Sequence, residues 1–161
     1  MEIIEYNATY EQAVIQLILN IQQHEFGVPV TIADQPDLLD VRNFYCKGYG
    51  NFWLALDDKK LIGSSALIDI GNRQAALRKM FVHADYRGKE TRTGQQLMDH
   101  IIAWCHAHGI DEIYLGTFET LLAAQRFYIK NGFVQVTKQS LPASFPLMQV
   151  DNVFFKLVVQ R

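Results

Sequence analysis

The sequence predicts a single α/β (α+β) domain with a mixed central sheet, in which an antiparallel meander is followed by a β-α-β-α-β-β segment and helices cover both faces. Three observations predict it. The hydrophobic period changes from helical to strand-like at Asn51, a buried-type strand at residues 112–116 lies between two segments of helical period, and the chain contains no repeats or linkers. We therefore expect residues 1–161 to fold as one domain.

The first fifty residues are predicted to form one strand and two helices. Alternation of apolar and polar residues at positions 2–6 indicates a short strand. Thr9 begins a capping-box pattern, and apolar residues then recur at helical spacing as far as His24. Pro36 suits the first position of a second helix, which we expect to end at Gly48.

The rest of the chain predicts the meander and the elements that follow it. Short turns at residues 57–60 and 71–72 separate the meander strands, and Gly109 ends a helix that begins near Gly94. The predicted strands are residues 51–56, 61–70, 74–83, 112–116, 133–137 and 150–159, the last helix is residues 121–130, and a loop at 140–149 joins the two closing strands.

Bulk properties exclude several classes of partner. The formal net charge is −2 and the isoelectric point is about 6.2, so we expect neither nucleic acid nor an anionic membrane as a partner. No apolar run approaches the roughly 20 residues of a membrane span. Cys46 and Cys105 lie far apart, and no cysteine or carboxylate completes a metal site with the histidines near residue 106. We expect no metal and a reducing, cytoplasmic setting.

A basic loop between the meander and the next helix has the features of a phosphate site. The first N–H groups of a helix lack carbonyl partners, the helix dipole adds positive potential there, and glycine lets the backbone approach an anion closely. The sequence therefore predicts phosphate binding at this loop. It contains Arg87, Gly88, Lys89, Arg92 and Gly94.

This loop resembles the acetyl-CoA signature Q/R-x-x-G-x-G/A of the GNAT N-acetyltransferase superfamily. Arg87 stands at its first position, after the approach F-V-H-A-D-Y at residues 81–86. Glu90 and Arg92 occupy the two glycine positions, and Gly94 follows two residues on, as in a longer-loop variant R-G-K-E-x-x-x-G. The order of predicted elements matches the superfamily over essentially the whole chain.

A second motif lies downstream of the loop. Residues 127–133 read F-Y-I-K-N-G-F, which is similar to the F-Y-x-K-x-G-F segment of these enzymes. Leu121 stands seven residues before Tyr128, where the family often has an asparagine. A basic glycine-containing loop is weak evidence alone, and its combination with this segment makes the resemblance specific.

The resemblance implies that acetyl-CoA is the co-substrate and assigns residues to it. The pantetheine arm is expected to pair with the backbone of Met80, Phe81 and Val82. Tyr128 is implied as the general acid that protonates the leaving thiolate. The remaining residues expected to contact the cofactor are those of the loop, the helix start and the later motif: Arg87, Gly88, Lys89, Arg92, Thr93, Gly94, Gln95 and Phe127.

The sequence defines the residues that bind the acyl acceptor less clearly. An amine is a cation before reaction, so acidic residues favour its capture, and Glu25, as base or amine-binding group, and Asp34 are candidates together with His83. Arg78 raises the opposite hypothesis, a substrate that carries a carboxylate. Strand alternation places Arg78 and Lys79 on opposite faces, so at most one of them is expected to face the substrate.

We expect the protein to transfer an acetyl group to a primary amine of a small molecule or a protein, by direct attack of the amine on the thioester. The alternative is a catalytically silent GNAT-like module that binds acyl-CoA as a sensor, which Glu90 and Arg92 at the two glycine positions favour. Homodimerisation is compatible with both, and the loop at 140–149 is expected either to cover the acceptor site or to form a subunit contact.

Overall fold

A mixed seven-stranded sheet is the centre of the computed structural model, which describes residues 1–160. The strand order is β1-β2-β3-β4-β5-β7-β6, and every neighbouring pair is antiparallel except β4 and β5, which are parallel. The predicted fold class and meander are confirmed. The strands are β1 (Glu2–Glu5), β2 (Asn51–Asp57), β3 (Lys60–Gly71), β4 (Gln74–Val82), β5 (Glu112–Thr117), β6 (Val134–Val136) and β7 (Val153–Val158).

Helices cover both faces of this sheet. The faces differ because β2 alternates: Phe52 packs under the first two helices, and Trp53 packs under the later ones. We call these the α1 face and the α3 face. Within residues 1–160 no helix combines the length and apolarity that a bilayer crossing requires. The α-helices are α1 (Glu11–Asn20), α2 (Val41–Tyr45), α3 (Thr93–Ala107) and α4 (Leu122–Lys130).

The first helix begins and ends differently from the prediction. Asn7 is the cap, since its side chain accepts a hydrogen bond from the N–H of Thr9 at 2.9 Å, and a 3-10 turn then leads into α1. The capping box predicted at Thr9 was wrong because asparagine two residues earlier is a strong N-cap residue. After Asn20 the helix widens into a π-helical turn, Ile21–Glu25, which ends at the candidate residue Glu25.

The second predicted helix is interrupted. A 3-10 turn, Pro36–Leu39, is separated from α2 by Asp40, whose φ of −151° is not helical. The turn nevertheless buries Asp37 and Leu38 beneath α1 and the sheet. The prediction of one continuous helix was wrong, because a 3-10 turn followed by a short helix buries the same apolar residues.

The strands β4 and β5 pair only at their first residues. Their register runs from Gln74↔Glu112 to Ala76↔Tyr114, and within the described chain no further pairs follow. We call the opening beyond these pairs, between residues 77–82 of β4 and 115–117 of β5, the β4–β5 gap. It leaves the edge of β4 that faces β5 without a partner strand in residues 1–160.

A β-bulge at Lys79 shapes this edge. Ser64 of β3 pairs with Phe81 and Ala66 pairs with Arg78. One residue of β3 therefore lies between these two pairs, whereas two residues of β4 do. Lys79 takes the extra position with a φ of 55°, which is uncommon for a residue with a side chain. Arg78 and Lys79 consequently both face the α1 face. The prediction of opposite faces was wrong because alternation assumes a regular strand.

The last strand, β7, is shorter than predicted. β7 begins at Val153, so Asp151 and Asn152 lie in the preceding loop, where the Asn152 N–H donates to the Thr117 carbonyl at 2.9 Å. The loop at 140–149 buries Phe145 against the α1 face of the sheet, in edge contact with Phe154. This loop therefore completes the core beside the β4–β5 gap.

Candidate active site

The start of α3 presents unpaired backbone donors. The N–H groups of Thr93, Gly94 and Gln95 make no backbone hydrogen bond within residues 1–160, and no side chain from that part of the chain caps the helix. The loop before it needs a glycine at Gly88, whose φ is 105°. Arg92 precedes the helix in a left-handed conformation, with a φ of 51°. Free amides at a helix start suit an anion.

The residues around this helix start pack against α4 and include one buried hydroxyl without a partner. Gly94 lies beside the Phe127 ring, because a Cβ added there would be 3.7 Å from it. The Thr93 hydroxyl is buried and has no partner within residues 1–160. Gln95 donates to Asn131 at 2.7 Å, which ties α3 to the end of α4. The structure thus brings Thr93, Gly94, Gln95 and Phe127 together.

Arg87 is held by an ion pair with Glu25. Its guanidinium donates to both carboxylate oxygens of Glu25, one of them at 2.9 Å, and its Nε donates to the Val82 carbonyl at 2.8 Å. Both side chains of the pair are about one-third exposed, at 38% and 31%. Lys89 and Arg92 are exposed and form no ion pair among residues 1–160.

Tyr128 lies on the α3 face beside the β4–β5 gap, since its ring packs against Phe155, the strand partner of Leu115. Its ring packs against Phe127, Phe133 and Phe155, which bury it almost completely. The hydroxyl makes no hydrogen bond within the described residues. Burial first, and then the charge of Asp151, raise the pKa of Tyr128 above its ordinary value. The phenol is therefore protonated at neutral pH.

Asp151 reaches the gap from the opposite side, and sequence reasoning missed it. Its carboxylate fills the space left by Gly116 on β5, since a Cβ at Gly116 would lie 2.5 Å from Asp151 Oδ2. Burial raises the pKa of Asp151 to about 6, while the positive charges of Arg78 and Lys79 act to lower it. A glycine inside a buried strand often marks such a close approach, and that signal was present in the sequence.

A buried polar network lies on the α1 face below Arg78. Lys79 Nζ donates to Gln35 Oε1 at 2.5 Å and lies 3.5 Å from Asp37, which also accepts from the Tyr45 hydroxyl at 2.5 Å. Burial lowers the pKa of Lys79 to about 8, although the nearby Asp37 acts to raise it. Gln35 is in turn hydrogen-bonded to Gln22 in the π-helical turn after α1. The network fixes the 3-10 turn against the bulge.

The other predicted acceptor residues have local partners. Asp34 accepts hydrogen bonds from the N–H of Thr31 at 2.9 Å and so caps its own turn. His83 accepts from the N–H of Asp85 at 3.1 Å and lines an open groove beside α1. Arg78 is different, because its guanidinium forms neither a hydrogen bond nor an ion pair with residues 1–160. No group of three or more metal-binding side chains occurs within the same residues.

Two solved structures resemble this chain closely along its whole length. An acetyltransferase of the GNAT family from Staphylococcus aureus Mu50 matches with a TM-score of 0.93 and 39% identity, over 99% of each chain. An acetyltransferase from Streptococcus agalactiae 2603 matches with a TM-score of 0.93 and 30% identity, over 98% of this chain and 97% of that one.

More distant comparisons agree with these. PaiA N-acetyltransferase from Thermoplasma acidophilum, solved in complex with coenzyme A, shares the fold with a TM-score of 0.74 and 17% identity, over 98% of each chain. No curated protein sequence matches the chain. The Acetyltransferase (GNAT) family matches residues 15–133, which is most of the sequence. The chain therefore belongs to the GNAT family of acetyltransferases.

Proposed function

We propose that the protein transfers the acetyl group of acetyl-CoA to a primary amine, by direct attack of the amine on the thioester at the β4–β5 gap. The observation that carries this proposal is the meeting of two ionisable groups in that gap. Tyr128 packs on the α3 face against Phe155, the partner of Leu115, while Asp151 covers Gly116 from the α1 face, and the charge of Asp151 acts to raise the pKa of Tyr128. We propose that these two residues serve as acid and base on the two sides of one opening.

The residues around the gap suit an acyl-CoA. When bound, acetyl-CoA supplies an activated thioester carbonyl and a thiol leaving group. The free amides of α3 and the orphan hydroxyl of Thr93 offer donors for its phosphates. The edge of β4 at residues 80–82 has no partner strand and offers backbone groups to an extended chain, with the Val82 carbonyl already accepting a hydrogen bond from Arg87. We propose these as the pyrophosphate and pantetheine contacts, with Arg87, Gly88, Lys89 and Arg92 as the rest of the loop.

Asp151 is our candidate for the general base. An amine must be neutral to attack, and a carboxylate with a pKa of about 6 is ionised at neutral pH and still basic enough to accept a proton. Its carboxylate accepts no hydrogen bond from residues 1–160, so both oxygens are free to take one. The sequence made Glu25 a candidate base, but both Glu25 oxygens are bound to Arg87, and we propose that it instead holds that arginine.

Tyr128 is our candidate for the general acid. Its raised pKa keeps the hydroxyl protonated, so it has a proton to donate to the departing sulfur. The same burial disfavours the charged thiolate, which increases the basicity of the sulfur and favours the transfer. The phenol then recovers a proton from water, and the proton taken from the amine leaves through Asp151.

We expect Glu25→Gln to tighten acetyl-CoA binding up to about fivefold. Glu25 occupies the guanidinium that we assign to the pyrophosphate, and a partly exposed ion pair of this kind is worth roughly 0.2–1 kcal/mol. Isothermal titration with acetyl-CoA measures the change. Asp85→Asn is the matched control, because it removes a charge from the same loop without touching Arg87. Unchanged or weaker binding in Glu25→Gln would show that Arg87 does not contact the phosphate.

Thermal unfolding with acetyl-CoA, followed by assay of thiol release across a panel of amines, tests the proposed function. We expect stabilisation and release with at least one amine. Stabilisation without release on any amine would favour the acyl-CoA sensor instead, a role for which the ion pair of Arg87 with Glu25 and the residues Glu90 and Arg92 argue. No stabilisation at all would contradict both functions.

Cys46 and Cys105 form no disulfide within residues 1–160, which is consistent with a reducing compartment, and we propose that the protein works in the cytoplasm.

A further inference from the structure

Arg78 and Asp151 both lie at the β4–β5 gap. Ala76↔Tyr114 is the last parallel pair, Arg78 stands two residues beyond Ala76, and the Asp151 carboxylate rests on Gly116, two residues beyond Tyr114. Both side chains are on the α1 face, because Arg78 follows Ala76 and Gly116 follows Tyr114 at the strand period of two. A cation and an anion therefore lie on the same face of the sheet beside the opening.

Neither of these charged groups has a hydrogen-bonded or ion-paired partner among residues 1–160. Both residues are partly buried, and within residues 1–160 no nitrogen of Arg78 lies within 4.0 Å of an Asp151 oxygen. Their charges still sense one another, since Arg78 acts to lower the pKa of Asp151. Partly buried charges are costly unless they acquire partners. The space between them is thus suited to a ligand with one charge of each sign.

The other charges nearby do not compete for that ligand. Lys79 and Asp37 are both 5% exposed and lie 3.5 Å apart, so they balance each other inside the α1 face. The bulge makes this possible by turning Lys79 inward beside Arg78 rather than to the α3 face. Arg78 is left as the free cation at the opening.

We propose, on the basis of the proposed function, that the acceptor is a small amino carboxylate, whose carboxylate binds Arg78 while its amine lies at Asp151. Guanidinium and carboxylate form paired, charge-assisted hydrogen bonds, which fix orientation as well as affinity. With the carboxylate held at Arg78, the amine is directed toward Asp151 and toward the thioester in the gap. Asp151 accepts one proton of the ammonium group, and the neutral amine then forms the new N–C bond. The C–S bond breaks as the sulfur takes a proton from Tyr128, and the second proton lost by the nitrogen returns to the Tyr128 phenolate through water.

This assignment separates free amino acids from peptide termini. A peptide or protein N-terminus has a neutral amide where a free amino acid has its carboxylate, so Arg78 would lose its partner. A decarboxylated amine lacks the group altogether. The structure thus favours a small molecule over a protein as the acceptor.

Thiol release measured on matched sets of compounds tests the inference. Each set consists of an amino acid, its amide and the amine without the carboxylate, for example lysine, lysinamide and cadaverine, alongside several other side chains. We expect kcat/KM for the best amino acid to exceed that of its amide and its decarboxylated amine by about 10- to 100-fold, which is the range for charge-assisted hydrogen bonds.

Variants of Arg78 sharpen the result. Arg78→Gln is expected to raise KM for the amino acid about tenfold or more, to leave the decarboxylated amine unchanged, and to leave acetyl-CoA binding unchanged. Arg78→Lys, which keeps the charge, should restore part of the loss. Arg73→Gln is the control, because Arg73 is exposed and pairs with Asp111 at the far end of β4.

Equal or faster acetylation of the amides and decarboxylated amines by the wild-type enzyme would overturn the inference and leave the proposed function standing. An equal loss for all three compounds in Arg78→Gln would also overturn it. No thiol release from any amine would overturn the proposed function and this inference together.

Discussion

Asp151→Asn is expected to lower kcat/KM about 100- to 1,000-fold while leaving the affinity for acetyl-CoA unchanged. The asparagine amide has nearly the same size as the carboxylate and fits the space above Gly116, but it cannot accept a proton from the amine. Loss of a positioned base typically costs 10²- to 10⁴-fold, and the binding of the amine beside the thioester retains some rate. Thiol release and isothermal titration measure the two quantities.

Two controls make this result specific. Asp85→Asn removes a carboxylate that is 82% exposed and outside the gap, and it should keep wild-type turnover. Gly116→Ala leaves Asp151 in the sequence but places a methyl group where its carboxylate lies, so it should reproduce much of the loss. A fully active Asp151→Asn enzyme would remove Asp151 from the reaction.

The pH dependence of the wild-type enzyme provides a further prediction. Burial raises the pKa of Asp151 to about 6, so the base is present above that pH and is lost by protonation as the pH falls through it. We expect kcat/KM to decrease below about pH 6 and expect this decrease to be absent in the residual activity of Asp151→Asn. A profile whose acidic limb persists in that variant would assign the limb to a different group.

Tyr128→Phe is expected to lower kcat about 10- to 100-fold with little change in acetyl-CoA affinity. The ring is packed by Phe127, Phe133 and Phe155, and phenylalanine preserves these contacts while it removes the proton donor. The loss is smaller than for Asp151 because a thiol is a good leaving group and water can supply its proton more slowly.

Tyr114→Phe is the matched control for Tyr128, because Tyr114 is also buried but its hydroxyl lies near Glu112 at the paired ends of β4 and β5. Turnover of the control should equal that of the wild type. If Tyr128→Phe also turned over at the wild-type rate on the true acceptor, Tyr128 would be a core residue and the proton would come from elsewhere.

The regular parts of the fold were predictable from sequence because local periodicity determines them. The meander, α3, β5 and α4 each have one hydrophobic period bounded by turn residues, and the structure has them nearly where predicted. The bulge at Lys79 was not predictable, since nothing in the residues around it breaks the strand pattern. Its cause is tertiary, because the bulge lets Lys79 reach Gln35 and Asp37.

The cofactor side of the site was more predictable than the acceptor side. The loop and the start of α3 are one continuous segment, so a sequence motif can describe them. The ion pair of Arg87 with Glu25 joins residues 62 positions apart in sequence, and no local pattern reveals it. Asp151 was missed because the last strand was predicted at residues 150–159, whereas β7 begins at Val153. The prediction therefore placed a loop carboxylate inside a strand.

We propose that acetyl transfer takes place in the β4–β5 gap between Tyr128 and Asp151. The most direct test is a crystal structure of the protein with coenzyme A. We predict that the pantetheine chain lies along residues 80–82 of β4, that the sulfur is within about 3.5 Å of the Tyr128 hydroxyl, and that Asp151 faces it across the gap. A sulfur that lies outside the gap, out of reach of Tyr128, would contradict the account.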